Sequence, residues 1–132
     1  MLKGVVLITG GAGFIGSHLT DYLVGLDGVE KVVVLDDLSF GSLDNLSSSL
    51  GNEKLVFVRG DVRDHELLLK LLVEHGVDYV FHEAALVGVE LSKDDPWGVH
   101  DVNVGGTLSV LRAALKADLK RLVLASSCVV YG

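Results

Sequence analysis

The stretch Thr9-Gly10-Gly11-Ala12-Gly13-Phe14-Ile15-Gly16 sets glycines at every third position between an apolar run and a helical pattern. A strand that enters a helix through such a turn is built to hold the pyrophosphate of a dinucleotide. Gly10 is expected to make the tight turn out of the strand. Gly13 is expected to let the backbone approach the phosphates with no Cβ in the way. Gly16 is expected to let the helix pack closely on the sheet. The helix N-terminus then offers unpaired N–H groups and a partial positive charge. A glycine turn without a ligand is the competing reading, and the flanking strand and helix favour binding.

Asp36 follows at the end of the next apolar run. A carboxylate there accepts hydrogen bonds from both ribose hydroxyls of an adenosine and repels a 2′-phosphate, so NAD is expected over NADP. Asp36 or Asp37 as a mere cap of the following turn is the alternative, and it weighs more for Asp37. Asp61 lies in Arg59-Gly60-Asp61-Val62-Arg63-Asp64, after a third apolar run. It is either an acceptor for the adenine amino group or part of a plain turn, and the residues alone leave both open.

Small residues at Ala84 and Ala85 leave room for a dinucleotide to cross the sheet. His82 beside them is read as a structural strand-end histidine rather than a catalytic one. Asn103, Gly105 and Gly106 fall inside a long helical pattern, where glycine costs about 1 kcal/mol against alanine. Two glycines in a row suggest a close backbone approach to the sheet or a ligand. Asn103 either sends its amide into the site or is solvated beside a kink. Ser127 follows the fifth apolar run and could polarise a substrate oxygen. No Gly-x-Ser-x-Gly elbow surrounds it, so it is not read as a hydrolase nucleophile. His18, His65, His75, His82 and His100 show no metal-ligand spacing, so no metal is expected.

These groups need a scaffold. Five nearly continuous apolar runs, Val5–Thr9, Val32–Leu35, Leu55–Val58, Tyr79–His82 and Leu122–Ala125, read as strands covered on both faces. Helical patterns lie between them at Phe14–Leu26, at His65–His75 and from Asp95-Pro96 to about Ala117. Asp64 is a good cap for the second helix and Gly76 a good stop. Leu43–Leu50 is a short helix or a turn. The alternation predicts an α/β fold with three layers, α/β/α, and a parallel sheet in the order 3-2-1-4-5. The switch point then falls between strands 1 and 4, where ligands bind.

The chain has 132 residues, 49% hydrophobic and 22% charged, which suits one domain spanning 1–132. Eleven Lys and Arg against 18 Asp and Glu leave a net charge of −7, which argues against nucleic acid and anionic membranes as partners. No apolar run approaches the roughly 20 residues of a membrane span. The single Cys128 excludes an internal disulfide framework. With no signal-peptide pattern at the start, a cytoplasmic location is expected.

Taken together, the segments resemble the extended short-chain dehydrogenase/reductase superfamily, and within it the NAD-dependent epimerase/dehydratase family acting on nucleotide sugars. The matching segments are Gly-x-x-Gly-x-x-Gly, Asp36-Asp37-Leu38-Ser39-Phe40-Gly41, Gly60 to Asp64, His82 to Ala85, Asp95-Pro96, Asn103 to Thr107, and Ser126-Ser127 through Tyr131-Gly132. The resemblance implies a Rossmann-type fold with NAD as cofactor. It implies backbone N–H groups of Phe14 and Ile15 on the pyrophosphate, and Asp36, Asp37, Ser39 and Gly41 around the adenosine ribose. Asp61 and Val62 would lie at the adenine, and Ala84, Ala85 and Leu86 beside the ribose and phosphates. Ser127 would be the catalytic hydroxyl, in a hydride transfer at a sugar carbon through a transient keto-sugar, with a Tyr base and a Lys.

The chain departs from the family pattern in two places. Val87 stands where many members carry Gln or Lys. Tyr22, Tyr79 and Tyr131 all lack Lys four residues on. The expectation is a cofactor-binding portion truncated after strand five, catalytically incomplete as it stands. A nucleotide sugar would bind only with the C-terminal region supplied. A stand-alone NAD(H)-binding module or a minimal Rossmann scaffold is the alternative. The apolar fifth strand at an open edge predicts a homo-oligomer, assembled through that edge or the helix Asp95–Ala117.

Overall fold

The computed structural model describes residues 2–132. Strands β1 (Gly4–Thr9), β2 (Val29–Asp36), β3 (Leu55–Arg59), β4 (Tyr79–His82) and β5 (Arg121–Leu124) form one parallel sheet in the order β3-β2-β1-β4-β5. The expected order 3-2-1-4-5 and the Rossmann-type layering are therefore observed. β1, at the centre, is buried along its whole length. Strand side chains alternate between faces, and the two faces carry two cores. Val5 and Leu7 of β1 join Val33, Leu35 and Val80, under Leu68, Leu71 and Leu72 of α2 (His65–Glu74) and Val110 and Ala113 of α5 (Thr107–Ala114). Val6 and Ile8 join Val32 and Val34, under Leu23 and Val24 of α1 (Phe14–Val24).

Helix α2 starts and stops as its residues dictate. The Asp64 carboxylate accepts from the Leu67 N–H at 3.0 Å, and Gly76 takes φ +60° just past the end. β2 begins three residues before the expected Val32, because Val29 pairs with Gly4 across an irregularity in the ladder. Only Leu43–Leu46 of the segment after β2 is helical, as one 3-10 turn. A second 3-10 turn, Cys128–Tyr131, closes the chain and was not signalled by sequence pattern.

The expected helix from Asp95 is present, its backbone staying helical at both junctions, but its hydrogen bonding changes along it: α4 (Pro96–His100), a π-helical segment Asp101–Gly106, and α5 follow one another without a gap and end at Ala114. A further short helix, α3 (Val89–Asp94), precedes them. Asp95 does cap α4, accepting from the Gly98 N–H at 2.9 Å. A Cβ on Gly106 would lie 2.6 Å from Val62, so glycine lets the backbone press onto the loop after β3. Of the glycine pair, Gly106 thus marks a close approach, but to Val62 rather than to a strand, while a Cβ on Gly105 would meet only the Asp101 carboxylate, at 3.2 Å. No helix among the described residues is long and apolar enough to cross a membrane.

Candidate functional site

The carboxyl ends of β1, β2, β3 and β4 open onto one cleft, the place where ligands bind in an open parallel sheet. Gly10 and Gly13 line it after β1, Asp36, Asp37, Ser39 and Gly41 after β2, Asp61 and Val62 after β3, and Ala84, Ala85 and Leu86 after β4. Five segments distant in sequence therefore meet at the switch point, since Val102 of the π segment also lines it.

The glycines divide the labour of the turn. Gly10 adopts φ +69°, and a Cβ there would lie 2.7 Å from the Ala84 backbone. Gly13 has an ordinary φ of −76°, and its Cβ would meet only the Gly10 carbonyl, at 3.3 Å. Its bare side is thus open toward the cleft. The tight contact of Gly16 differs from expectation: a Cβ would collide with the Gly10 carbonyl and approach Gly11 Cα at 2.7 Å. It packs on the turn itself, not on the sheet. Gly11 makes the sheet contact instead, its Cβ position lying 2.7 Å from Val34. The first ladder bond of α1 runs from the Ser17 N–H to the Gly13 carbonyl at 2.9 Å. The N–H groups of Phe14, Ile15 and Gly16 precede it, and no side chain caps them. Phe14 and Ile15 side chains are exposed and lie outside the cleft lining, so these residues can serve it only through their backbone.

Asp36 is buried and doubly engaged. One carboxylate oxygen accepts from the Ala12 N–H at 2.9 Å and the other from the Leu38 N–H at 2.9 Å. It thus ties the glycine turn to the end of β2 while lining the cleft. The second bond supports Leu38 at φ +63°, a conformation that non-glycine residues rarely adopt. Asp37 is exposed and folds back on Ser39, accepting from its N–H at 2.8 Å and its hydroxyl at 2.6 Å. Gly41 fits against Ala12, where a Cβ would meet the Ala12 backbone at 2.8 Å.

After β3, Asp61 is gripped by Arg63. Both carboxylate oxygens accept from Nε, at 3.0 and 3.1 Å, and one accepts from Nη2 at 2.6 Å. The guanidinium holds the Asp61 carboxyl below the usual carboxylate range. Sequence alone singled out Asp61 without Arg63, because a bidentate grip is a matter of geometry.

Beyond β4 the cleft wall hangs on a chain of polar contacts. Thr107 Oγ1 donates to the Asn103 carbonyl at 2.6 Å, so it accepts from His82 Nε2 at 2.9 Å. His82 Nδ1 then accepts from Thr9 Oγ1 at 2.6 Å, and Thr9 Oγ1 in turn accepts from the Ala84 N–H at 3.4 Å. His82 is buried, which holds its imidazole below the ordinary pKa, and it joins β1 to α5. This is a structural role, as its strand-end position suggested. Asn103 engages Leu86 through both polar atoms of its amide: Oδ1 accepts from the Leu86 N–H at 2.7 Å and Nδ2 donates to the Leu86 carbonyl at 2.9 Å. It shapes the cleft by clamping Leu86 and does not line it. Threonine at positions 9 and 107 carried no pattern that would have revealed this chain.

Ser127 lies apart from the cleft lining. Exposed, it caps the last 3-10 turn, its hydroxyl accepting from the Val129 N–H at 3.3 Å. Sequence reasoning missed Leu35, Phe40, Gly60, Glu83 and Val102 as lining residues. Burial pushes the Glu83 carboxyl above its usual range. Among the described residues no group of three His, Cys, Asp or Glu side chains could hold a metal.

The glycine turn, the Asp36 carboxylate and the wall at Ala84–Leu86 border one cleft, and the position of a Cβ on Gly13 is nearly free of protein. The chain is similar to known proteins along most of its length. A putative UDP-glucose 4-epimerase of Methanocaldococcus jannaschii is 40% identical over 129 residues, covering 97% of this chain and 40% of the relative. The structure of a UDP-glucose 4-epimerase from Stenotrophomonas maltophila, with bound NAD and formylated UDP-arabinopyranose, superposes with a TM-score of 0.87 at 37% identity. That match covers 96% of this chain and 38% of the other. A dTDP-glucose 4,6-dehydratase from Streptomyces venezuelae, with NAD bound, gives 0.80 at 37% identity, covering 89% and 38%. The chain thus spans about 40% of the length of these relatives. Residues 6–132 match the model of the NAD dependent epimerase/dehydratase family. By that match and by fold, the chain belongs to the NAD dependent epimerase/dehydratase family.

Proposed function

We propose that the chain binds NAD(H) in the cleft and forms the cofactor-binding part of a nucleotide-sugar epimerase or dehydratase. The carrying observation is the bare face of Gly13 beside the unpaired N–H groups of Phe14, Ile15 and Gly16. These groups hold the pyrophosphate. Asp36, already fixed by two backbone donors, keeps acceptor capacity for the adenosine ribose, with Asp37, Ser39 and Gly41 around it. Asp61 and Val62 take the adenine. Ala84, Ala85 and Leu86 pass the rest of the dinucleotide across the sheet, and Asn103 holds that wall in place. When bound, NAD accepts and returns hydride at a sugar carbon.

Ser127 meets the sugar oxygen in the assembled enzyme. We also propose a cytoplasmic location and self-association. The second rests on Leu108, Leu111 and Leu115, exposed along α5 and just beyond it. Calorimetric titration with NAD and NADP tests the reading. NAD is expected to bind and NADP to bind at least about tenfold more weakly, as a carboxylate faced with a 2′-phosphate requires. Equal affinities would remove Asp36 from the ribose.

A further inference from the structure

One arginine at the cleft does more than neutralise a neighbour. Arg63 donates to both oxygens of Asp61, and its remaining arm donates to Asp101 at 2.7 Å. Its own N–H also donates to Asp61, at 2.8 Å, and its carbonyl accepts from the Ser109 hydroxyl of α5 at 3.2 Å. Backbone and side chain of Arg63 are therefore both anchored, and the guanidinium links the loop after β3 to the start of the π segment. Isolated surface ion pairs contribute little, but bidentate geometry within a network is the exception. A rigid fork spanning two carboxylates is a task for arginine and not for lysine.

We infer that Arg63 is a positioning residue that sets base specificity in the cleft, fixing the Asp61 carboxylate, braced from Asp101, to accept from a 6-amino purine and refuse a 6-oxo purine. The inference rests on the dinucleotide reading above. An ionised carboxylate only accepts hydrogen bonds. An adenine presents a donor at its 6-amino group. A hypoxanthine presents an acceptor there, and its nearest donor is the neighbouring ring N–H. A carboxylate free to swing reaches that N–H and binds either base. One gripped on both oxygens does not, so discrimination depends on the grip.

The test compares binding of NAD and nicotinamide hypoxanthine dinucleotide, two ligands differing only in the 6-substituent of the purine and the proton on the neighbouring ring nitrogen. The wild-type chain is expected to prefer NAD by about tenfold to a hundredfold, as for one hydrogen bond to a charged group. Arg63→Gln should bring the ratio within about threefold, and Arg63→Lys should behave similarly. Asp101→Asn leaves the Asp61 pair intact and should lower the ratio partway. It decides the matter alone if Arg63→Gln fails to fold. A merely structural arginine would weaken both ligands alike, and an unchanged ratio in the folded variants would overturn the inference. A wild type that binds both equally would overturn it and leave the dinucleotide reading standing. A wild type that binds neither would bring down that reading itself.

Discussion

The two halves of the cleft are built on different principles. On the β1–β2 side, backbone does the shaping: glycines pack against Val34, Ala84 and the turn's own carbonyl, and one aspartate ties the turn together. The strands there are buried. On the β4–β5 side, side chains do it. His82, Thr9 and Thr107 bridge the strands to α5, Asn103 clamps Leu86, and β5 is largely exposed. The first half has no room for a Cβ at Gly10, Gly11 or Gly16 and leaves Gly13 open. The second depends on each donor finding its acceptor.

Glycine substitutions should break this contrast most sharply. Gly16→Ala forces a Cβ into the Gly10 carbonyl and should cost about 3 kcal/mol, as overpacking does. Gly13→Val meets little protein in the way and should fold with a loss within about 1 kcal/mol, yet bind NAD too weakly to measure. Paired thermal melts and titrations separate the two, and equal destabilisation would contradict the assignment of Gly13 to the ligand. Next in size, Asp36→Ala strands the buried Ala12 N–H and should lose about 2–4 kcal/mol together with NAD affinity. Urea denaturation measures the first.

Smaller effects belong to the side-chain half. Asn103→Ala frees Leu86 and should lower NAD affinity by about tenfold for about 1 kcal/mol of stability. A stability loss as large as that of Asp36→Ala would sharpen the two halves into one. The smallest effect is the dependence on pH. The folded state keeps His82 neutral where a free imidazole, with a pKa of about 6.5, takes up a proton. The unfolded chain then binds more protons, so stability present above about pH 6.5 is lost as pH falls toward the lowered value. Asp61 and Asp78, held below the ordinary carboxylate range, lose their contributions only in more acid solution. The Tm drop between about pH 7 and pH 5 should be shallower in His82→Gln than in wild type, and parallel curves would argue against a neutral buried His82.

The same contrast explains what could be read from sequence. Gly10, Gly13, Asp36 and the sheet order follow from local spacing, because a strand, a tight turn and a helix are short-range features. The π segment within Asp95–Ala117 was not legible, and neither was the fit of Gly106 against Val62, 44 residues earlier, which only the folded chain brings together. Gly16 was recognised but assigned the wrong neighbour, because spacing gives a need for closeness and not the surface approached. Arg63 and the two threonines stayed hidden for a related reason: their partners are chosen by tertiary geometry.

The most direct test of a dinucleotide cleft at the switch point is an amide-resolved NMR titration of the wild-type chain with NAD. The account predicts shifts at Gly11–Gly16, Asp36–Gly41, Asp61–Val62 and Ala84–Leu86, with the α2 amides near His75 unmoved. Shifts confined to other surfaces, or none at saturating NAD, would contradict it.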